Sequence, residues 1–358
     1  VSRDFVWRDA GRTIVLRDGV GAAAPELLAE YGFASFELLS TPRALAQSPE
    51  LAAAATAVHE VPPGQVPEIA AGLLDATAVL PAMREQVPSG DAGTGLVALG
   101  GGRVIDVAKA LAAVSGAAVA AIPTTMSGAE MTAIHRLPAG AEDRVRGMVR
   151  PALVLADPEL MTSQPEAALR ASSMNALAHG ADSLYTPLSN PVSEMTALRG
   201  AELIAGSLDQ PREQRDRPAL ALGSLLCGYA IDSAGFGLHH VVCQTLVRVC
   251  GSPHAGTNAA ILPLAVAFLA ARAPEPFTNL SAALGTEPAG LEERIRELGG
   301  DPPGLAGLGA DRAKLDEAIE AMLQRPELAH VPSPPSRAEL AELLDRAWQP
   351  GNSAGSPV

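Results

Sequence analysis

Cysteine is almost absent from this chain. Cys227, Cys243 and Cys250 are the three in 358 residues, none in a Cys-x-x-Cys pair and all in apolar surroundings. So sparse and odd a count gives no disulfide framework and fits reduced thiols in a cytoplasm. Aromatic residues make up 3% of the chain. With alanine and arginine abundant, that reads as a coding bias and not as a functional signal. No apolar run is uninterrupted for the length of a membrane span, and no charged-then-apolar leader is visible. Positive charge is in deficit: 26 Lys and Arg against 40 Asp and Glu give a net charge of −14 and a pI near 4.9. An acidic surface repels nucleic acid and anionic membranes, so the expected partner is a small molecule. An acidic substrate stays compatible, because a local cationic pocket overrides the global field.

What is present suffices for two large cores: 358 residues, 47% hydrophobic and 18% charged. The organising stretch is LVALGGGRVIDVAKALAAVSGAAVAAIPTTMSGAEMT, residues 96–132. An apolar run over 96–99 stops at Gly100, Gly101 and Gly102. A helical pattern follows over 104–114, then a second apolar run over 117–122. That run opens onto Thr124, Thr125, Met126, Ser127 and Gly128. This is a β-α-β unit whose strand ends carry small or hydroxyl residues. Glycines admit a phosphate to backbone N–H groups, and the following helix offers its positive end. The guest that suits it is a dinucleotide pyrophosphate; the alternative is a tight turn without a ligand.

Upstream, 12–16 reads as a strand, 24–31 as a helix and 35–39 as a second strand ending at Ser40, Thr41 and Pro42. That strand end often carries an acidic residue that binds a ribose. Here Arg43 follows instead, either to receive a 2′-phosphate or as a solvated helix-start residue. Residues 66–83 read as helical, 85–94 as a surface loop, 135–150 as an irregular charged hairpin or flap, and 152–156 as another strand. Beyond that the texture changes to alanine- and leucine-rich helical patterns over 165–185, 191–205, 219–250, 257–271, 312–323 and 337–348. The expected organisation is an α/β domain (1–157), an all-helical domain (158–348) and a disordered Pro/Gly/Ser-rich tail (349–358).

Two patches in the helical half carry chemistry. Asn175 and His179 are four residues apart and share a helix face, as do His240 and Gln244. His239 adjoins the second pair. His254 lies fourteen residues beyond His240, about 21 Å along an unbroken helix. Gly251, Ser252 and Pro253 supply the break that would let the two converge. Three histidines and an Asn form a ligand-like set, but a neutral amide is a weak donor for zinc or iron. The alternative is a set of ordinary polar residues in a helical cleft. His59, His135 and His330 read as incidental.

These motifs together resemble the iron-containing alcohol dehydrogenase family, which shares a superfamily with dehydroquinate synthase, and within it the maleylacetate reductase branch. GGGRVIDVAK resembles the family's GGGSxxDxAK, and IPTTMSGAEMTAI resembles VPTTYAGSEMTPI. SSMNALAHGADSLYTPLSNP resembles SGMNAIAHAVEALYAPDANP. GLHHVVCQTL followed by SPHAGTNAAILP resembles GLHHKLCHTLGG and LPHAETHAIVLP. The likeness spans nearly the whole chain. It implies a Rossmann-like domain, a helical domain, an active site in the cleft between them, and a homodimer. It also implies reduction of the carbon–carbon double bond of an unsaturated keto acid such as maleylacetate by NADH or NADPH. Cofactor contacts fall on Gly100, Gly101, Gly102, Arg103, Asp106, Thr124, Thr125 and Ser127 with Ser40, Thr41 and Pro42. Catalytic roles fall on Asn175, His179, His239, His240, Gln244 and His254. In the metal-dependent members an Asp and three His hold the ion at the positions of Asn175, His179, His240 and His254. Asn at the first position is typical of the reductase branch and implies no catalytic metal.

The chain departs from the pattern where chemistry is expected. Gln244 stands in place of a histidine, Arg103 in place of the serine of GGGS, and Val247-Arg248 in place of a glycine pair. The arginine-containing segment before the last helix reads Ser333-Pro334-Pro335-Ser336. The expected function is an NAD(P)H-dependent reductase of a conjugated keto acid in a biosynthetic or aromatic-degradation pathway. The alternative is a non-redox lyase, cyclase or scaffold that has kept the fold.

Overall fold

A strand covered on both faces is apolar at every position, whereas one with a wet face alternates. The described residues of the N-terminal half follow that rule. In this computed structural model, which describes residues 5–9, 11–77 and 94–349, they form one seven-stranded sheet. Its elements in chain order are β1 (Phe5–Asp9), β2 (Arg12–Leu16), α1 (Val20–Glu30), β3 (Phe36–Ser40), α2 (Pro42–Leu45) and α3 (Pro49–Ala54). There follow β4 (Ala57–Glu60), α4 (Val66–Leu73), β5 (Gly95–Gly100), α5 (Gly102–Ser115), β6 (Val119–Pro123), β7 (Leu153–Ala156) and α6 (Pro158–Met161). The strand order is β1-β2-β7-β6-β5-β3-β4, parallel except for β1 against β2. Within β5 the side chains divide cleanly. Leu96 and Ala98 join the core under α4 and α5. Val97 and Leu99 join the core with Val20, Leu28 and Leu51 on the opposite face.

This order has a functional consequence. From β3 the chain moves outward to β4, and from β5 it moves the other way to β6. The carboxyl ends of β3 and β5 are therefore a topological switch point, where open parallel sheets bind ligands. Ser40 pairs with Leu99 in register, and Gly100 with Pro123. The three turns singled out in the sequence thus meet at one edge of one unit.

The chain splits into two compact units between Gln164 and Pro165, with α6 on the first. The second is helical: α7 (Glu166–Ser183), α8 (Pro191–Leu208), α9 (Arg217–Ala234), α10 (Leu238–Cys250), α11 (His254–Ala270), α12 (Pro274–Ala283), α13 (Leu291–Gly299), α14 (Leu315–Leu323) and α15 (Arg337–Trp348). Asn190 and Ser336 begin α8 and α15 with full capping boxes. Among the described residues no single helix is long and apolar enough to cross a membrane.

Several expectations are corrected. The single helix read over 219–250 is two, α9 and α10, meeting at 97°. Gly235 at φ 76° ends the first, and Gly237 begins the second. Helices α12 and α13 and strand β1, which pairs with the expected strand β2, add to the elements that the sequence patterns suggest. The charged stretch before β7 contains only a short turn at Glu142–Arg144 and no hairpin. His135 ties this stretch together: its Nδ1 donates to the Arg136 carbonyl at 2.9 Å and its Nε2 accepts from Val149 N at 3.1 Å. Burial keeps it uncharged by lowering its pKa. Part of the helix expected over 66–83, most of the loop over 85–94 and nearly all of the tail over 349–358 lie outside the described residues.

Lys109 holds the unit's two central turns in register. Its side chain is fully buried on α5. Nζ donates to Asp106 Oδ1 at 2.9 Å, Ala129 O at 3.0 Å, Ile134 O at 2.9 Å and Thr132 Oγ1 at 3.4 Å. An ammonium on a flexible stem can serve acceptors in several directions, which a planar guanidinium cannot. Lys109→Met keeps the bulk and strips four acceptors of their donor. It is expected to lower the unfolding free energy of this unit by about 3 kcal/mol or more. Urea unfolding followed by circular dichroism checks this, and a change below about 1 kcal/mol would refute the role.

Candidate functional site

The switch-point turns are built by close approach. A Cβ on Gly101 would lie 2.9 Å from Thr125 Cγ2, and one on Gly102 would lie 3.0 Å from Ser127 Cβ. Only glycines let the turn after β6 lie against the start of α5. No side chain caps α5, so its first amides and its positive end are left for an anion. Thr124 N binds Gly100 O at 2.9 Å, tying the two turns together. Thr125 and Ser127 are half-buried at this rim. The cradle fits a phosphate. Arg103 is exposed on the first turn of α5. Asp106 is engaged by Lys109.

The neighbouring turn is more committed than the sequence suggests. Ser40 is fully buried and donates to Leu99 O at 2.8 Å, so its hydroxyl binds the sheet. Thr41 caps α2, with its Oγ1 accepting from Ala44 N, and Pro42 is the first residue of that helix. Arg43 is exposed and donates to Ser163 Oγ at 3.2 Å.

Glu130, in the same turn as Ser127, is completely buried. Its Oε2 accepts from Ser127 Oγ at 3.4 Å, and its Oε1 has no hydrogen-bond partner among the described residues. Burial drives its pKa from 4.5 up to about 7, against the smaller opposing pulls of its own backbone N–H and Lys109.

In the helical unit Asp182 is the organising residue. The sequence reading passed over it, although it lies one turn beyond His179. It is fully buried on α7 and accepts from the amides of Gly237 (3.1 Å), His239 (3.3 Å) and His240 (3.1 Å). It also accepts from His240 Nδ1 and Tyr185 Oη, both at 2.7 Å. The carboxylate thus caps α10 from another helix and orients its first functional side chain. Tyr185 Oη in turn accepts from Leu238 N at 2.6 Å. Gly237 makes this possible: a Cβ there would stand 2.0 Å from Tyr185 Oη and 3.0 Å from Asp182 Oδ1. The donors outweigh burial and hold the Asp182 pKa down to about 2.

His240 stands in a stack of rings. Phe236 lies on one face at 4.6 Å and 6°, and His179 on the other at 4.8 Å and 13°. With Nδ1 held by Asp182, its Nε2 is buried without a hydrogen-bond partner among the described residues, as is His179 Nδ1. Burial and the neighbouring His240 push the His179 pKa well below its ordinary value, so that ring is neutral.

The other expected residues divide. Asn175 is buried one turn from His179. His254 is the exposed first residue of α11, placed by the chain reversal at Gly251 (φ 70°). His239 points elsewhere: its Nε2 binds Asn258 Oδ1 at 2.9 Å and its ring lies against Cys243 Sγ. Burial brings its pKa down to about 3, and its ring stands edge-on to His240 with centroids 5.2 Å apart. Gln244 is half-buried, with its Oε1 accepting from Arg325 Nη2 at 3.1 Å. His59 pairs with Glu37 at 2.6 Å, and His330 donates to Phe236 O at 3.0 Å.

A divalent ion is poorly served by these side chains. The set holds a neutral amide and imidazoles, with no anionic donor, because the one carboxylate nearby is taken up by five hydrogen bonds. The nearly parallel rings of His179 and His240 direct their in-plane lone pairs along separate planes instead of toward one point. Among the described residues no group of three His, Cys, Asp or Glu is placed to hold a metal ion.

With this geometry in place, comparison with known proteins is informative. The family model of the iron-containing alcohol dehydrogenases matches residues 19–165. The C-terminal model of the Fe-containing alcohol dehydrogenase family matches residues 170–348. Maleylacetate reductase 1 of Rhodococcus opacus is 35% identical over 262 residues, 71% of this chain and 72% of its own. Maleylacetate reductase of Rhizobium sp. (strain MTP-10005) is 30% identical over 357 residues, 96% and 98% of the two chains. Among solved structures, an iron-containing alcohol dehydrogenase from Corynebacterium glutamicum superposes with a TM-score of 0.80 at 28% identity, covering 95% of each chain. Maleylacetate reductase from Agrobacterium tumefaciens gives 0.78 at 29% identity, covering 97% of this chain and 99% of that one.

Glu130 supplies a pH prediction. The folded chain keeps its proton to about pH 7, whereas the unfolded chain releases it near 4.5. The stability due to the neutral carboxyl is therefore full below pH 4.5 and is lost as pH rises to about 7, on the order of 3 kcal/mol in all. Glu130→Gln is expected to lack this slope and to exceed the parent in stability at pH 8. Urea midpoints of both proteins from pH 4.5 to 8 check it; parallel curves would exclude the neutral carboxyl.

Proposed function

The chain belongs to the iron-containing alcohol dehydrogenase family, and from that premise we propose that it is an NAD(P)H-dependent reductase of an α,β-unsaturated keto acid that works without a catalytic metal. The observation that carries this reading is His240: Nδ1 anchored to a buried carboxylate, Nε2 buried and unpartnered. A ring so held keeps one tautomer and one direction, as a proton donor to substrate requires. The similarity to maleylacetate reductases supports the choice of substrate class.

In this reading the glycine and hydroxyl turns at the switch point bind the dinucleotide. Gly101 and Gly102 admit the pyrophosphate to the amides of α5, while Thr125 and Ser127 line the rim. A reduced nicotinamide, when bound, supplies the hydride. His240 Nε2 delivers the proton that converts the substrate enolate to the saturated ketone. Asp182 holds the imidazole and balances the charge it carries before the transfer. Neutral His179, stacked on His240, offers Nδ1 to a substrate oxygen, and the ring of Phe236 keeps water from the far face. The neutral donor set supports metal independence, and three buried free cysteines support a reducing, cytoplasmic setting.

The direct test is oxidation of NADH and NADPH with maleylacetate. Neither cofactor binding at millimolar concentration would refute the proposal. His240→Asn keeps a donor for Asp182 but has nothing at the Nε2 position. It is expected to lower kcat by about 10²-fold or more with the fold intact. Activity that survives dialysis against EDTA, with less than a tenth of an equivalent of iron or zinc by elemental analysis, is expected. A stoichiometric metal whose removal abolishes turnover would contradict the metal-free reading.

A further inference from the structure

Gln244 and Arg325 are 81 positions apart in sequence, yet they share a hydrogen bond of 3.1 Å. The short helix Pro326–His330 is thereby fixed at one end to α10 and at the other to the bend that precedes it. At one end Arg325 binds Gln244, which lies one turn beyond His240. At the other, His330 donates to the carbonyl of Phe236, whose ring lies on His240. The Arg325 side chain is 19% exposed. Its Nε and Nη2 donate side-on to Glu327 at 3.0 and 2.7 Å. That leaves Nη1 with no partner among the described residues.

We propose, resting on the reductase reading above, that Arg325 is a specificity-determining residue whose Nη1 edge receives a substrate carboxylate distal to the carbon that His240 protonates. Gln244 and Glu327 act through it as positioning residues. Four residues of helix rise set Gln244 about 6 Å along α10 from His240, a separation on the scale of a six-carbon keto diacid. The side-on ion pair fixes the guanidinium plane, so little side-chain freedom remains to be lost when an anion docks. The pair also explains the residue at 244. A glutamine oxygen accepts from a guanidinium at every pH, whereas a histidine there would repel it once protonated. A cation delivered from a distant segment thus stands one helical turn from His240, held through Gln244.

The test uses two non-reacting probes, adipate and hexanoate, titrated calorimetrically into the full chain. Arg325→Met is expected to weaken adipate binding by about tenfold or more and to leave hexanoate unchanged. Arg325→Lys, which keeps the charge without the side-on geometry, is expected to fall between. Glu327→Gln, which loosens the guanidinium, is expected to weaken adipate less than Arg325→Met does. Equal losses for both probes, unchanged adipate binding in Arg325→Met, or no adipate binding by the parent protein would each overturn the assignment. NADH oxidation with maleylacetate is read in parallel. Arg325-dependent adipate binding without any NADH oxidation would remove the reductase reading and leave the anion site. NADH oxidation with the same KM in Arg325→Met would remove the anion site and leave the reductase.

Discussion

The helical unit depends on one buried carboxylate. Asp182 has no access to water, so it is tolerable only because its lone pairs are occupied by donors. Three of those donors are the opening amides of α10, which have no partner in their own helix. The same interaction therefore ends the α9–α10 bend, seats the N-terminus of α10 and fixes the tautomer of His240. A carboxylate removed from this position would leave amides, a phenol and an imidazole to be satisfied together. Gly237 is the geometric counterpart, since any side chain there would occupy the space of the Tyr185 hydroxyl.

The sheet unit uses the opposite charge in a similar way. Lys109 is an ammonium in a dry interior, and it draws the Ala129–Ile134 stretch onto α5 through two carbonyls and a hydroxyl. Arg12 reinforces the same stretch by donating to Met131 O at 2.7 Å. Glu130, within it, is the strained member: buried, half-satisfied and stable chiefly when protonated. Each unit is thus held by one interior charge, at least half of whose partners are backbone atoms. Backbone partners do not depend on side-chain identity, so the scaffold holds while peripheral residues such as Arg103 and Gln244 differ from the family pattern.

The central β-α-β unit was legible because its signals are local: apolar runs of strand length, glycine at the turn, hydroxyls after the second run. The pairing of Asn175 with His179 was legible for the same reason, from a four-residue spacing. The bend at Gly235-Phe236-Gly237 was not, because the apolar texture continues through it and the cause lies on α7. Asp182 was within reach, three residues from His179, but an acidic residue on a helix usually reads as solvated. Arg325 was illegible, since nothing in the sequence joins it to Gln244.

One further property follows from Lys109. The chain has two lysines, and the other, Lys314, is exposed. In the native fold, acylating reagents that seek side-chain amines thus meet a single accessible target. The buried amine becomes reactive only when α5 and the turn after β6 separate. The time course of its labelling is therefore a clock for the opening of this edge of the sheet, recorded chemically at one atom of the native sequence.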